Sequence, residues 1–352
     1  MSTVPTAPIV PLLTRDLPGT GGVVKRAPED FVVEEVPLYE PTGEGEHIYV
    51  RHRRTGRTTR ELVVAFAQAF GVDPRDVGYA GQKDKRAVAT QTFSLTIPRV
   101  DPADVARRIE AEVGGEVLGA RRHVNKLRRG HLIGNRFTLR VADVHADALS
   151  RARAIAAELV SRGLPNAFGP QRYGDDGANA ARGRALLDKP RRGWLAELHL
   201  CAWQSSLFDR WLARRMESGH FECVVPGDVA KKVANGALFD VVDLAAENER
   251  FARGEITHTG PLFGASMRAA TGEELALEES MLAAENVTLP QLARARLEGT
   301  RRAGRVPVLG LEVRADGADL VVTFQLPKGS YATTVLREFT KDAAAVDDAD
   351  DD

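Results

Sequence analysis

FVVEEVPLYE (Phe31 to Glu40), HIYVRHRR (His47 to Arg54) and TTRELVVAFAQAFG (Thr58 to Gly71) follow one another closely, and the architecture follows from their order. The first segment alternates apolar and polar residues with the period of a half-buried strand, and the second continues as another. In the third, Thr58 and Glu61 stand at capping-box spacing before an apolar-periodic helix that closes at Gly71. The strand-strand-helix order then recurs. VGYAG and TQTFSLTI precede the helix DPADVARRIEAEVGG, with Asp101 at its cap and Pro102 at its first position. EVLGARRHV and NRFTLRVADV precede ALSRARAIAAELVSRG, which ends at Gly163. Repeated units of this kind imply a mixed, largely antiparallel sheet with helices on one face, an α+β fold.

Beyond Gly163 the texture changes. Helical stretches such as WQSSLFDRWLARRMESG and GEELALEESMLAAE mix with Gly-rich turns, and Trp194, Trp203 and Trp211 are expected in a core. GLEVRADGADLVVTFQLP then reads as a hairpin turning at Asp316-Gly317, with a short helix in KGSYATTVLREF behind it. Strand-rich structure flanking a different middle suggests an inserted domain, with the last strands rejoining the first sheet. The expected boundaries are 1–162 and 306–341 for the sheet domain, 163–305 for the insertion, and 342–352 for an acidic, disordered tail. Gly19-Thr20-Gly21-Gly22 reads as a flexible turn.

The 352 residues carry 43% apolar side chains and no apolar run of membrane-spanning length, so no membrane partner is expected. The opening MSTVPTAPIVPLLTRDLPG lacks the basic flank and apolar block of a secretory signal, which points to the cytoplasm. Two cysteines, Cys201 and Cys223, and no His-x-x-x-His or Cys-x-x-Cys spacing give no expectation of a metal. Neither a Walker loop nor a Gly-x-Gly-x-x-Gly motif opens a strand-helix unit, and no cofactor is expected.

The formal charge of −1 hides an uneven distribution: the last twelve residues hold one Lys and six Asp, a net of −5, so residues 1 to 340 carry +4. Arg51, Arg53, Arg54, Arg57 and Arg60 fall in one block without an acid, and Arg121, Arg122, Lys126, Arg128 and Arg129 in another. Unmixed cationic blocks suit a polyanion such as RNA, though they also serve solubility.

GYAGQKDKRAVATQTFSL (Gly78 to Leu95) sets one carboxylate, Asp84, between Lys83 and Lys85 in a turn between strands. Reactive groups often sit on loops held by a rigid sheet. An ionised carboxylate works as nucleophile or base when a nearby cation supports its charge. Neighbours in extended chain point away from each other's side chains, so that cation is as readily supplied from elsewhere.

At five places the chain resembles the TruD family of RNA pseudouridine synthases, enzymes that isomerise uridine 13 of transfer RNA. The blocks are APEDFVVEEVPLYEPTGEGEH, GYAGQKDKRAVATQ, GNRFTLR, LPNAFGPQRYG and LPKGSYATTVLRE, in the family's order. The resemblance implies a catalytic domain interrupted by an insertion of the family's own α/β type, action on transfer RNA, and no cofactor or obligate protein partner. It places the catalytic aspartate at Asp84 and the neighbouring basic residue at Lys25. Phe31, Asn135 and Tyr331 match positions lining the nucleotide pocket, and Phe137 stands where other synthase families have a stacking Tyr. Ala167 and Tyr173 depart from the family's usual aromatic and Phe, which bears on packing or RNA contact. Taken singly, Phe31 and Phe137 fit a core, Asn135 a turn, Lys25 a surface, and Tyr331 a helix end. Arg51, Arg53, Arg54, Arg57, Arg121, Arg122, Lys126, Arg128 and Arg129 are expected on the RNA backbone. The same chemistry on another RNA, or RNA binding without turnover, remains compatible with these residues, and the order of steps at Asp84 is open.

Overall fold

The structure is a computed structural model that describes residues 10–24, 26–174 and 176–341. Lys25 and the acidic tail lie outside the described residues. The chain divides into two compact units, one of residues 19–156 and 308–329, the other of 10–18, 157–307 and 330–341 among those described. The N-terminal segment and the last helix, expected with the sheet, thus pack in the second unit.

The first unit is built on one mixed sheet. Its early strands are β1 (Gly21–Val24), β2 (Phe31–Pro37), β3 (His47–Arg54), β4 (Gly78–Tyr79), β5 (Val88–Thr96), β6 (Glu116–His123) and β7 (Leu132–Val144). A C-terminal hairpin, Leu309–Asp316 with Asp319–Pro327, rejoins it beside β7. From that edge the order runs through the hairpin to β7, β2, β5, β3 and β6, with β1 on β7 and β4 on β5. Only the β2–β5 pairing is parallel among the described strands. This is the mixed, largely antiparallel sheet of the expected α+β fold. Gly21 and Gly22 differ from expectation: they open β1 with φ of +63° and +99°, and a Cβ on Gly22 would meet the Ala142 carbonyl at 2.6 Å.

Helix α1 (Thr59–Phe70) begins as its sequence requires, because Thr58 Oγ1 accepts the Glu61 N–H at 3.1 Å and Glu61 accepts the Thr58 N–H at 2.7 Å. Gly71 ends it at φ 64°. Leu62 and Phe66 pack with Ile48, Val50, Phe93 and Leu95, and α2 (Pro102–Glu112) adds Val105 and Ile109 to the same core. Since Val50 pairs Phe93 and Ile48 pairs Leu95, these side chains share one sheet face. Burial of these side chains at about 25 cal/mol per Å2 holds both helices there. α3 (Ala148–Arg162) follows β7.

In the second unit, α4 (Asn179–Asp188) and α5 (Trp194–Glu217) approach closely at Gly183, where any Cβ would strike the His199 carbonyl. α5 starts well before the periodic stretch that marked it in sequence. Trp203 and Trp211 are core, each 1% exposed, but Trp194 is 62% exposed. The expectation of three core tryptophans is corrected: Trp194 is the first residue of the helix and stands ahead of its packed face. A four-stranded antiparallel sheet (Val229–Lys232, Leu238–Asp240, Ile256–Leu262 and Thr300–Ala303) completes this unit's α/β texture.

Candidate active site

Asp84 lies in the loop from β4 to β5, and that loop is fastened from several sides. The Lys83 N–H donates to Thr59 Oγ1 at 3.0 Å, Thr59 Oγ1 donates to Gln91 Oε1 at 3.0 Å, and Gln91 Nε2 donates to the Gly81 carbonyl. Arg54 Nη2 also donates to Thr59 Oγ1, at 3.2 Å, so this hydroxyl uses its one donor and both acceptor positions. The Gly56 N–H holds the Lys85 carbonyl, and Asp84 Oδ1 accepts the Arg86 N–H at 2.9 Å. The carboxylate is thereby oriented by its own turn.

The two flanking lysines face away from it. Lys83 turns inward, where Nζ meets Glu35 Oε2 at 3.0 Å with both side chains almost wholly buried, and Lys85 reaches Glu61 at 3.6 Å on the outside. Burial lowers the pKa of Lys83 while Glu35 opposes that shift. Glu35 Oε1 also accepts the Thr92 N–H at 3.2 Å. Arg54 is 4% exposed, and burial pulls its pKa down to about 10 against the opposing charges of Glu35 and Asp84. Arg54 is therefore a buried cation within reach of the Asp84 charge. Its expected place on the RNA backbone is corrected: an arginine bonded to Thr59 and the Ala89 carbonyl in the interior cannot grip a phosphodiester.

Sheet register gathers the other pocket candidates on β2 and β7. Glu35 pairs Asn135, Val33 pairs Phe137, and Phe31 pairs Leu139, with Leu326 and Phe324 continuing the rows. Phe31, Glu35, Asn135 and Phe137 thus share one face. Phe31 meets Phe137 edge to face at 6.1 Å, and Phe137 lies tilted against Phe324 at 5.3 Å. Both are nearly buried, at 5% and 6% exposure. Asn135 Oδ1 is buried without a hydrogen-bond partner among the described residues.

Tyr331 belongs to the second unit. Its ring lies 5.8 Å from Phe168, and the Arg302 guanidinium sits over Phe168 at 4.0 Å. Asp209, unremarked in the sequence, ties this cluster: it accepts the Phe168 N–H at 3.0 Å and the Tyr173 hydroxyl at 2.6 Å. Two of the five sequence blocks therefore meet here, and the other three meet where β2 pairs β7 and Glu35 holds Lys83. Burial pushes the Asp209 carboxyl up to about 7, against the pull of Tyr173, Phe168 and Arg302. A folded-state pKa above the unfolded value means stability that is complete below about pH 4 and is lost as pH rises through about 7. Asp209→Asn is expected to flatten that decline, which can reach about 1.4 kcal/mol per pH unit, in urea unfolding run at a series of pH values.

Of the expected RNA cations, Arg53 pairs Glu116 at 2.8 Å, Arg51 stands 3.9 Å from Glu34, and Arg57 donates to the Val113 carbonyl. Arg122 is engaged by the Gly45 and Val100 carbonyls, Lys126 by the Arg75 carbonyl, and Arg129 by the Tyr79 hydroxyl. Among the described residues, the Arg121 and Arg128 side chains have no acidic partner, and both are exposed. Glu35 was missed in the sequence although a signal existed: the alternation that buries Phe31 and Val33 places Glu35 on the same face, where an acid needs a reason.

No group of three His, Cys, Asp or Glu among the described residues is placed to hold a metal ion, and no described helix is long and apolar enough to cross a membrane. The family model for tRNA pseudouridine synthase D (TruD) matches residues 10–191 and 183–339. A tRNA pseudouridine synthase D of Anaeromyxobacter sp. (strain Fw109-5) is 49% identical over 354 residues, covering 97% of this chain and 99% of its own. One from Thermus thermophilus is 45% identical over 334 residues, covering 94% and 92%. A crystal structure from Methanosarcina mazei bearing the TruD name shares the fold, with a TM-score of 0.73 at 24% identity over 96% of this chain and 98% of that one.

Proposed function

Because the chain belongs to the tRNA pseudouridine synthase D (TruD) family, we propose that it converts uridine 13 of transfer RNA to pseudouridine, with Asp84 as the catalytic carboxylate. The protein is an RNA pseudouridine synthase, an isomerase. The observation that supports the finer reading is the unsatisfied Asn135 amide oxygen, on a sheet face that is tied through Glu35 and Lys83 to the loop carrying Asp84. Asn135 pairs Glu35 across the sheet, Glu35 holds Lys83, and Lys83 is the residue before Asp84. A buried amide oxygen without a partner costs about 1–3 kcal/mol, and the N3–H of an extruded uracil is a donor that would satisfy it.

In this reading the uridine leaves its stack at a cost of a few kcal/mol. Asn135 orients the base, and Phe137, mostly covered by Phe31 and Phe324, offers only a small part of its ring. The C1′–N1 bond breaks and a C1′–C5 bond forms, the proton leaving C5 while N1 ends protonated, so no electron is gained or lost overall. Asp84 supplies the anion and Arg54 supports its charge from behind; Lys25 is a further candidate for that support. We assign residues 163–305 to an insertion in the catalytic domain, and the cytoplasm, where transfer RNA is processed, as the place of action.

The test is to incubate the protein with unmodified transfer RNA and map pseudouridine chemically. Product at position 13, and none when that position is cytidine, is the expected result. Product elsewhere would overturn the position, and no product from any RNA would favour a binding protein. Affinity should fall steeply with salt, and Arg128→Ala should reduce the slope of log K against log salt by roughly 0.7–0.9 if it neutralises one phosphate. Arg122→Ala should reduce that slope less than Arg128→Ala does, because two carbonyls hold its guanidinium although its charge remains.

A further inference from the structure

The sheet of the first unit opens where β2 parts from β5. Their parallel pairing reaches Glu34, after which β4 pairs with the second half of β5 at Gly78 and Ser94. Glu35 Oε1, rather than a strand carbonyl, accepts the Thr92 N–H. The gap is a cavity of about 130 Å3, with Tyr39, Tyr49, Thr92, Arg51, Arg121 and His131 in its walls. Glu35 is shared with the proposed uridine site, but Asp84, Phe31, Asn135 and Phe137 do not line the cavity, so that site does not account for it.

Its walls are built rather than incidental. The Tyr39 hydroxyl lies 2.8 Å from His131 Nδ1 and 3.3 Å from the Tyr49 hydroxyl. His123 stacks on Tyr39 at 5.1 Å and meets Tyr49 edge-on at 4.7 Å, which fixes both rings. This gives aromatic surface with a hydrogen-bonding edge, the combination that holds unpaired bases. At the mouth, Arg51 and Arg121 project from neighbouring strands. Arg51 stands opposite Gly119, where an added Cβ would meet nothing within 4 Å, so the wall beside Arg51 is open; Glu34 lies 3.9 Å from its guanidinium. Glu40 is the acid of the rim, and the carboxylate of Glu35 is already committed to Lys83. The segment carrying His131 is tied to the start of the Asp84 loop, since the Gly130 N–H donates to the Ala80 carbonyl at 2.8 Å.

We propose that this cavity is a second nucleotide site, taking one unpaired nucleotide of the substrate RNA with its base among Tyr39, Tyr49 and His131 and its phosphate between Arg51 and Arg121. It rests on the reading of the protein as an RNA-modifying enzyme, and it sets the register in which RNA reaches Asp84. Phosphate contact alone would tolerate any sequence; an enclosed base gives the enzyme a second point of recognition.

The test uses full-length Tyr39→Leu, Tyr39→Phe and Arg121→Ala proteins, with transfer RNA affinity and single-turnover rate at saturating RNA measured separately. Tyr39→Leu is expected to weaken binding by about 5- to 150-fold, the loss of one stacked base, with the larger part of the defect in affinity. Tyr39→Phe should retain most of the affinity, and Arg121→Ala, an exposed side chain whose loss cannot unfold the sheet, should weaken binding and lower its salt dependence. Irradiation of 4-thiouridine-substituted transfer RNA on the Asp84→Asn protein should cross-link one position, other than the modified uridine, to Tyr39 or His131. Unchanged affinity in both Tyr39→Leu and Arg121→Ala, or cross-links confined to other segments, overturns the proposal. Pseudouridine formation with unchanged affinity in these variants sinks the second site alone; weakened RNA binding without pseudouridine formation by the parent protein sinks the reaction and leaves the site standing.

Discussion

Asp84→Asn is expected to lower the single-turnover rate on transfer RNA by about 10⁴-fold or more while RNA affinity changes less than about threefold. The substitution is nearly isosteric. The Asn oxygen can still accept the Arg86 N–H that now holds Asp84 Oδ1 at 2.9 Å, so the turn keeps its shape. What disappears is the negative charge, and with it the nucleophile or base. Glu35 still acts on Arg54 but is also the counter-ion of Lys83, so the variant leaves one carboxylate facing two buried cations, and a loss of stability is expected beside the loss of rate. Rate measured at saturating RNA separates this from a binding defect. Normal turnover by the variant would remove Asp84 from the chemistry, and Glu35 is a poor substitute because both its oxygens are engaged by Lys83 and the Thr92 amide.

Lys83→Met is expected to destabilise the protein by about 3–5 kcal/mol, because it leaves the Glu35 carboxylate, 3% exposed, buried without its counter-ion. Denaturant midpoints at constant m-value measure the loss. The double variant Lys83→Met, Glu35→Gln removes both charges and keeps an oxygen for the Thr92 amide, so it should recover at least half of the stability. A double variant as unstable as the single one would show that the ion pair is not what the loop loses. The backbone N–H of residue 83 still reaches Thr59 in either variant, and activity in the double variant should therefore exceed that in the single one.

Strand, strand and helix from Phe31 to Gly71 were legible because each rests on local rules: alternation along β2 and β3, a capping box at Thr58 and Glu61, and a left-handed glycine at 71. Asp84, Phe31, Asn135 and Phe137 enter the proposed site through motifs alone, as what the family resemblance implies. Arg54 and Glu35 were read less well. RHRR looks like one cationic run, but in a strand Arg51 and Arg53 leave by one face while His52 and Arg54 leave by the other. Trp194 and Trp203 sit on one helix, yet only the second meets the packed surface.

Periodicities, helix ends and the return of the last hairpin could all be read from the chain alone, since they depend on residues close in sequence or on a motif's own spacing. Folding in three dimensions was needed to show that Lys83 serves Glu35, that Arg54 is a buried cation within reach of the Asp84 charge, and that Asp209 gathers Phe168 and Tyr173. Those outcomes depend on which sheet face the helices cover and on which strand comes to lie alongside which, and charge in a sequence carries no direction until burial gives it one.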